Sequence, residues 1–323
     1  MKAIVCTKYG PPDVIQLQEV AQPTPRDNEA LVRICAASLN AADLEASGGA
    51  FVNRIAAPLR PRNKILGTDV AGQIIDVGVN VSRFQPGDEI WGDLSFPLGS
   101  GAFAEYVCIP ESALRPKPAG MTFEEAAAIP TAGVVALQNL LAKRPIQAGQ
   151  EVLINGAGGG VGTFAVQIAK YLGAEVTGVD SAEKLATLKS IGADHVIDYA
   201  QDDFSKNGKH YDLILDVVVH RWIFDYKRAL TPEGVAMMVG GALTKVFLNL
   251  VLGKLTPGKQ RVGIGMWKPN KKEDLDLLQE LFGAGKVKPV IDKVYKLNGV
   301  PDAFRYLKAG HAHGKLIIKM ECS

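Results

Sequence analysis

The clearest chemistry in this chain lies in the glycines between positions 156 and 162. The run E-V-L-I-N-G-A-G-G-G-V-G fills residues 151–162 and leads directly into T-F-A-V-Q-I-A-K-Y-L-G. Its pattern predicts a strand over 151–155, a tight turn, and a helix over 161–172 with Val161, Phe164, Ala165, Ile168 and Leu172 on one face. Gly156 suits the turn after the strand. Gly158 and Gly159 remove Cβ atoms where a pyrophosphate approaches the backbone, and Gly162 lets the helix lie close to the sheet. Around Gly160 and Val161 the helix opens, and its unpaired N–H groups and positive dipole end favour phosphate. A second apolar run, 175–180, ends in Asp180, near the offset of about twenty residues at which a carboxylate meets a ribose. A glycine loop that merely turns the chain needs none of this context, so the pattern points to a dinucleotide site. Ser181, Lys184 and Tyr199 are further candidates, able to gather around a phosphate if Asp180 turns away. Gly240, just past a later strand, completes the set.

Elements that can hold such a site follow from the rest of the pattern. Apolar runs at 151–155, 175–180, 195–199, 211–219, 235–239 and 261–267 alternate with helical stretches that include 161–172, 183–191 and 222–230. Strands alternating with helices predict a doubly wound parallel sheet. Ahead of it, residues 31–36, 70–77, 89–92 and 102–109 read as short strands separated by turns such as Pro86-Gly87-Asp88, a mostly β domain. Residues 123–142 are helical in character, broken at Ile129-Pro130. The tail offers an amphipathic helix at 272–282, an extended run at 288–297, a helix opened by proline at 301–308 and a last strand at 315–320. The expected division is a β domain from both chain ends, 1–122 and 268–323, around a nucleotide-binding domain at 123–267.

A chain of 323 residues is long enough for two cores, and 47% apolar with 22% charged residues is an ordinary globular composition. A net charge of +2 argues against a dedicated nucleic-acid binder. Cys6, Cys35, Cys108 and Cys322 are scattered without a C-x-x-C pair; two disulfides are possible on paper, but nothing points to an oxidising compartment. No secretory signal or membrane-length apolar run is present, so the expectation is a soluble, reduced, cytoplasmic protein. One stretch stands apart. Residues 234–272 hold seven Lys or Arg and no acid, around the apolar run K-V-F-L-N-L-V-L-G-K-L. A buried helix with a solvated basic rim is the plainer reading. The other is a low-turnover binding or scaffold protein that uses this surface for RNA, a membrane or an acidic partner.

Seven segments together carry a resemblance over essentially the whole chain: A-A-S-L-N-A-A-D (36–43), L-G-T-D-V-A-G (66–72), F-Q-P-G-D-E-I-W-G (84–92), A-A-A-I-P-T-A-G (126–133), N-G-A-G-G-G-V-G (155–162), I-G-A-D-H-V-I-D-Y (191–199) and G-H-A-H-G-K-L (310–316). The chain resembles the medium-chain dehydrogenase/reductase superfamily and, within it, the zinc-independent quinone oxidoreductase branch. The resemblance implies an α/β fold: a Rossmann doubly wound parallel sheet inserted into a GroES-like β-barrel domain formed by both chain ends. Zinc-dependent relatives have a metal-binding Cys where Asn40 stands and a His where Thr68 stands, so no metal site is expected. The five histidines lie outside those two motifs, and His311 and His313 read as exposed loop.

Without a Lewis acid the substrate must itself accept hydride readily, as quinones and α,β-unsaturated carbonyls do. The implied enzyme is an NAD(P)H-dependent oxidoreductase for a small electrophilic molecule, with NADPH or NADH as cofactor and no zinc. The resemblance implies that Asn40 and Thr131 face the nicotinamide and its ribose. Asn40 has an amide donor for an oxyanion, and Thr131 has a hydroxyl to position the cofactor. Each also has a local use, Asn40 in an Asx-type turn and Thr131 as a helix cap. Asp43 and Asp69 read as loop-holding residues. Many relatives carry a tyrosine, a proton donor, where Glu45 stands. Homodimers are common among relatives. Asp180 suits NADH, whereas relatives of this branch commonly use NADPH; measurable use of both is expected.

Overall fold

The computed structural model describes residues 1–95, 100–142, 145–241, 243–255, 258–265 and 267–322. Its strands and helices begin with K-A-I-V-C and I-Q-L-Q-E, which pair antiparallel as β1 (Lys2–Cys6) and β2 (Ile15–Glu19). Then come β3 (Glu29–Leu39), α1 (Ala41–Gly48), α2 (Phe51–Ala56), β4 (Asp69–Val77), β5 (Glu89–Asp93), β6 (Tyr106–Pro110), β7 (Leu114–Pro116) and α3 (Phe123–Ala128). The middle of the chain forms α4 (Pro130–Leu141), β8 (Glu151–Asn155), α5 (Gly160–Tyr171), β9 (Glu175–Asp180), α6 (Leu185–Ser190), β10 (His195–Asp198) and β11 (Tyr211–Asp216). It continues with α7 (Ile223–Ala229), β12 (Leu230–Met238), α8 (Leu243–Leu255), β13 (Arg261–Ile264) and α9 (Lys272–Gly283). The last elements are β14 (Ile291–Lys296), α10 (Val300–Lys308) and β15 (Lys315–Lys319).

The chain divides into two units. The first comprises Met1–Thr131, Pro269–Leu275 and Ile291–Ser323. Its seven-stranded sheet runs β14-β15-β3-β4-β5-β7, with β6 also paired to β3. Inward-facing Ile34, Ile74 and Ile90 from successive strands meet Phe103 and Phe304, whose rings pack edge to face at 6.1 Å. Helix α3 belongs here because its three buried alanines let it lie closely on β3, β4 and β15.

The second unit, Ala132–Lys268 and Asp276–Val290, carries six parallel strands in the order β10-β9-β8-β11-β12-β13. The order reverses between β8 and β11, the switch point at which doubly wound sheets bind ligands beyond their carboxyl ends. Fully buried Leu153, Ile214, Tyr226 and Ala236 are central to this core.

The expected strands at 151–155 and 175–180 coincide with β8 and β9. Others are shorter: 211–219 stops at Asp216, and within 102–109 only a bridge from Ala104 to Ala3 precedes β6. The run 261–267 stops at Ile264, and Met266 lies outside the described residues. The hairpin β1–β2 and the short helices α1 and α2 were not expected from periodicity. Cys35 and Cys322 form a disulfide, a pairing that sequence spacing does not single out, while Cys6 and Cys108 are free.

Helix α8 is not a buried helix. It packs through Val246 and Asn249, the latter accepting from the Ile223 backbone and donating to the Arg221 carbonyl. Phe247, Leu248 and Val251 face solvent. The Lys254 side chain lies outside the described residues. No described helix is long and apolar enough to cross a membrane.

Close packing at Gly162 gives a direct test of this fold. A Cβ there would lie 2.2 Å from the Gly156 carbonyl oxygen and 2.6 Å from Ala157 Cα, both backbone atoms that cannot step aside. Gly162→Ala is expected to lower the melting temperature by about 5 °C or more. Gly48→Ala, in a helix where a Cβ meets nothing within 4 Å, is the control and is expected to be neutral or slightly stabilising. Equal melting temperatures for the two variants would remove the close contact.

Candidate functional site

The glycine-rich turn follows β8 directly. Gly156 sits at φ +81°, a conformation that side chains rarely adopt, and a Cβ on it would strike Val217 and Val218. Gly159 is the N-cap of α5, and a Cβ there would meet only one atom, 3.5 Å away. The helix then begins at Gly160, so the first N–H groups, at Gly160, Val161 and Gly162, have no acceptor within it. An open N-terminus, one glycine at positive φ and one pressed against the turn are what a diphosphate cradle requires. Gly158 has a different task from the one expected. A Cβ on it would meet the Lys184 stem at 2.6 Å and Asp180 Oδ2 at 3.1 Å, so it makes room for side chains.

Asp180 ends β9 and turns inward. Its Oδ2 accepts from the Gly158 N–H at 2.7 Å and its Oδ1 from the Ser181 N–H at 2.9 Å. The Lys184 ammonium lies 3.3 Å from Oδ1, and both side chains are buried. Tyr199 donates its backbone N–H to the Asp180 carbonyl and leaves its ring exposed. Asp180, Ser181, Lys184 and Tyr199 therefore form one group, with the carboxylate already paired to a cation.

At the end of β11 a second acid does similar work. Asp216 Oδ1 accepts from Asn155 Nδ2 and from the N–H groups of Val218 and Val219, while Oδ2 accepts from the Tyr226 hydroxyl at 2.7 Å. Val219 is held at φ +55°, a strained conformation for a β-branched residue. Gly241 has no Cβ to meet the Val219 side chain, and Gly240 precedes it at φ +76°.

In the first unit, strand register assembles a buried polar cluster. Ser38 on β3 pairs with Asp69 on β4, and Asp69 pairs with Asp93 on β5. On the other side of β3, Leu39 pairs with Leu316, which brings Lys315 beside Asn40. Four strands thus deliver their polar ends side by side, and Thr131 arrives at the start of α4. Asp69 is fully buried. Its Oδ2 accepts from Ser38 Oγ at 2.7 Å and Asn40 Nδ2 at 2.9 Å, with Lys315 Nζ at 3.5 Å. Its Oδ1 accepts from Thr131 N at 3.0 Å and Thr131 Oγ1 at 2.6 Å. Lys315 donates to Asn40 Oδ1 at 2.6 Å. Asn40 Nδ2 is also 3.5 Å from Thr68 Oγ1, a long contact that leaves its second hydrogen weakly used.

Two further carboxyls border the cluster. Asp43 accepts from the Asn40 N–H at 2.9 Å and the Gly67 N–H at 3.1 Å, tying α1 to the turn before β4. Burial pushes its carboxyl up to about 7. Asp93 is also pushed up, first by burial and then by the facing Asp69, a like-charge pair across the strands.

The structure thus joins Asn40 and Thr131 through Asp69, and each retains 8% exposure where Asp69 has none. The backbone of Asn40 serves the helix start, which frees its side chain for the cluster. Sequence reasoning passed over Lys315, Ser38, Asp93 and Asp216. Lys315 gave one signal, a lysine heading the otherwise apolar L-I-I, and Asp216 repeated the sign read at Asp180, an acid ending an apolar strand. Glu45 is exposed on α1, as is His311 in its loop. Residues 96–99, shortly after β5, lie outside the described residues.

Residues 26–119 match the family model of the alcohol dehydrogenase GroES-like domain, and residues 191–318 that of zinc-binding dehydrogenases. A 2-methylene-furan-3-one reductase of Solanum lycopersicum is 34% identical over 98% of this chain and 79% of its own length. The chain belongs to the quinone oxidoreductase branch of the medium-chain dehydrogenase/reductase superfamily. Among solved members, the quinone oxidoreductase of Coxiella burnetii superposes with a TM-score of 0.90 at 30% identity, covering 99% of both chains. The Escherichia coli quinone oxidoreductase complexed with NADPH does so at 0.86 and 26%, covering 99% of this chain and all of that one.

Membership of this superfamily raises the question of zinc. The residues at the two positions that carry ligands in zinc-dependent relatives do not fit it: Thr68 is a neutral hydroxyl, and the Asn40 oxygen is taken by an ammonium that repels a metal cation. Among the described residues, no group of three or more His, Cys, Asp or Glu is arranged to hold a metal ion.

The raised Asp43 carboxyl gives stability a pH signature. An unfolded aspartate titrates near ~3.9, so the native state retains the Asp43 proton from there up to about 7. Its contribution is complete at low pH and is lost as pH rises through that window. Asp43→Asn, which cannot ionise, should therefore gain on the wild type by about 1 kcal/mol or more in urea unfolding between pH 5 and pH 8. Parallel pH profiles of the two proteins would show that Asp43 does not titrate there.

Proposed function

We propose that this chain transfers hydride from NADPH or NADH to an α,β-unsaturated carbonyl or a quinone, without zinc. The observation that carries the reading is the amide of Asn40: one hydrogen is committed to Asp69, and the other has only a 3.5 Å contact to Thr68. That second hydrogen is a donor for the acceptor's oxygen, where negative charge develops as hydride arrives at carbon. The likeness to a 2-methylene-furan-3-one reductase and to quinone oxidoreductases supports such acceptors, and the NADPH-bound relative supports the cofactor.

The bound nicotinamide supplies the hydride. The open start of α5 at Gly160, Val161 and Gly162 binds the diphosphate, and Gly240 and the Val219 loop line the far side of the switch point. Asp180, Ser181, Lys184 and Tyr199 meet the adenosine ribose. Thr131, whose O–H points to Asp69, has only lone pairs to offer, which suits a ribose hydroxyl or an amide N–H of the cofactor. No phenol stands at Glu45, and water supplies the final proton. The protein acts in the cytoplasm on a small molecule rather than on nucleic acid. The edge strand β13 suits pairing with a second copy, giving a homodimer.

After exhaustive chelation the protein should oxidise NADPH or NADH with a quinone or an enone, at rates at least about tenfold above those with a simple aldehyde. Activity that vanishes with a chelated zinc, or that prefers the aldehyde, would overturn this reading.

Cofactor choice turns on the Asp180–Lys184 pair. Removing the carboxylate relieves like-charge repulsion of a 2′-phosphate. Asp180→Ser should raise the NADPH-to-NADH ratio of kcat/KM by about tenfold or more, equivalent to ~1.4 kcal/mol. A ratio that stays level or falls would mean that Asp180 does not face the ribose.

A further inference from the structure

Lys315 is a lysine with 2% exposure at the head of a buried strand. Its ammonium reaches Asn40 Oδ1 at 2.6 Å and Asp69 Oδ2 at 3.5 Å. We propose that Lys315 is a positioning residue for Asn40, orienting and polarising its amide as a metal-bound ligand set would otherwise orient and polarise the acceptor. This inference rests on the hydride-transfer reading above.

The argument starts from which atoms can donate. A carboxamide is nearly symmetric in shape, so packing alone does not decide which end holds oxygen and which nitrogen. An ammonium has three donors and no acceptor, and therefore selects the oxygen. A carboxylate only accepts, and therefore selects the nitrogen. Lys315 and Asp69 grip the two ends of Asn40 in opposite senses, so the amide has one orientation. In that orientation the spare hydrogen of Nδ2 lies on the Thr68 side, the second of the two positions that hold metal ligands in zinc-dependent relatives.

Polarisation follows from the same contact. A positive charge at the amide oxygen withdraws electron density from nitrogen and strengthens its N–H as a donor, an effect enlarged where water is excluded. Neutral Asn40 then presents part of the Lys315 charge to the substrate oxygen while the ammonium itself stays buried. This accounts for a lysine in the sheet interior, where an aliphatic side chain of equal volume would pack at lower desolvation cost. Burial alone would push the Lys315 ammonium below its ordinary range, and Asp69 supplies the opposing charge.

The test is a double-mutant cycle on the full chain with NADPH and an enone or quinone. Lys315→Met should lower kcat by about 10- to 100-fold with KM for NADPH changed less than about threefold. Adding Lys315→Met to Asn40→Ala should cost no more than about a further threefold, because the group it orients is gone. Lys315→Arg, which keeps the charge, should recover much of the loss. The Asn40 side-chain amide resonances, read by NMR without turnover, should shift in Lys315→Met and stay near their wild-type positions in Lys315→Arg. Independent, multiplicative losses in the cycle would overturn the proposal, as would amide resonances unmoved by Lys315→Met. A wild type that turns over neither acceptor would remove the proposed function, and the amide resonances would still decide the positioning. Where Lys315→Met does not fold, the arginine variant and Lys315→Gln carry the same comparison.

Discussion

A carboxylate sealed from water costs several kcal/mol unless its surroundings answer it, and both oxygens of Asp69 accept hydrogen bonds even though Asp93 faces it across the strands. Its partners come from β3, the loop entering α1, β15 and the start of α4. Each must arrive on the correct face. A one-residue slip between β3 and β4 would turn Asp69 or Ser38 away and leave a buried charge alone. The two register shifts in that pairing, between Leu31 and Val32 and between Ile34 and Ala36, lie upstream of Ser38 and set the face it presents. The sheet of the first unit can thus be understood as the arrangement that satisfies one acid.

The second unit uses acids differently. Asp180 and Asp216 each end a parallel strand and bind backbone N–H groups of the turn that follows or lies alongside. One holds a loop whose own residue disfavours its shape, a valine at positive φ; the other holds a turn in which a glycine leaves room for a lysine stem. A turn built from backbone groups needs this support, since it has few side chains of its own through which to be stiffened.

What was legible in the sequence follows from these physical differences. The strand–turn–helix at Gly156 was legible because it is local: the glycines, the apolar strand and the helix face lie within about twenty residues. Apolar parallel strands were legible for the same reason, though their ends were not; 211–219 stays apolar past Asp216, and only the side-chain bonds of that acid show where pairing stops. The Asp69 cluster was legible in part. Asn40 and Thr131 came from motif positions, but their link through Asp69 joins residues 62 apart in one case and 29 in the other. Lys315 was passed over because its partner Asn40 is 275 residues away, and no periodicity marks such a pair. The disulfide was missed for a like reason, since Cys35 and Cys322 are separated by 287 residues. Short helices such as α1, six to eight residues long, hold too few turns to show a period.

The position of β15 has a consequence for how the protein comes to be made. This strand lies inside the seven-stranded sheet, between β14 and β3, yet it is translated after every other element of either unit. The nucleotide-binding unit is complete once residue 290 has left the ribosome. Until β15 follows, residues 36–39 of β3 stay unpaired on that edge, and Asp69 lacks its ammonium. At five to twenty residues per second, that interval lasts only a few seconds. For that time the nascent chain holds a finished domain beside an open sheet, and exposed edges of this kind are where another chain can pair or a chaperone can bind.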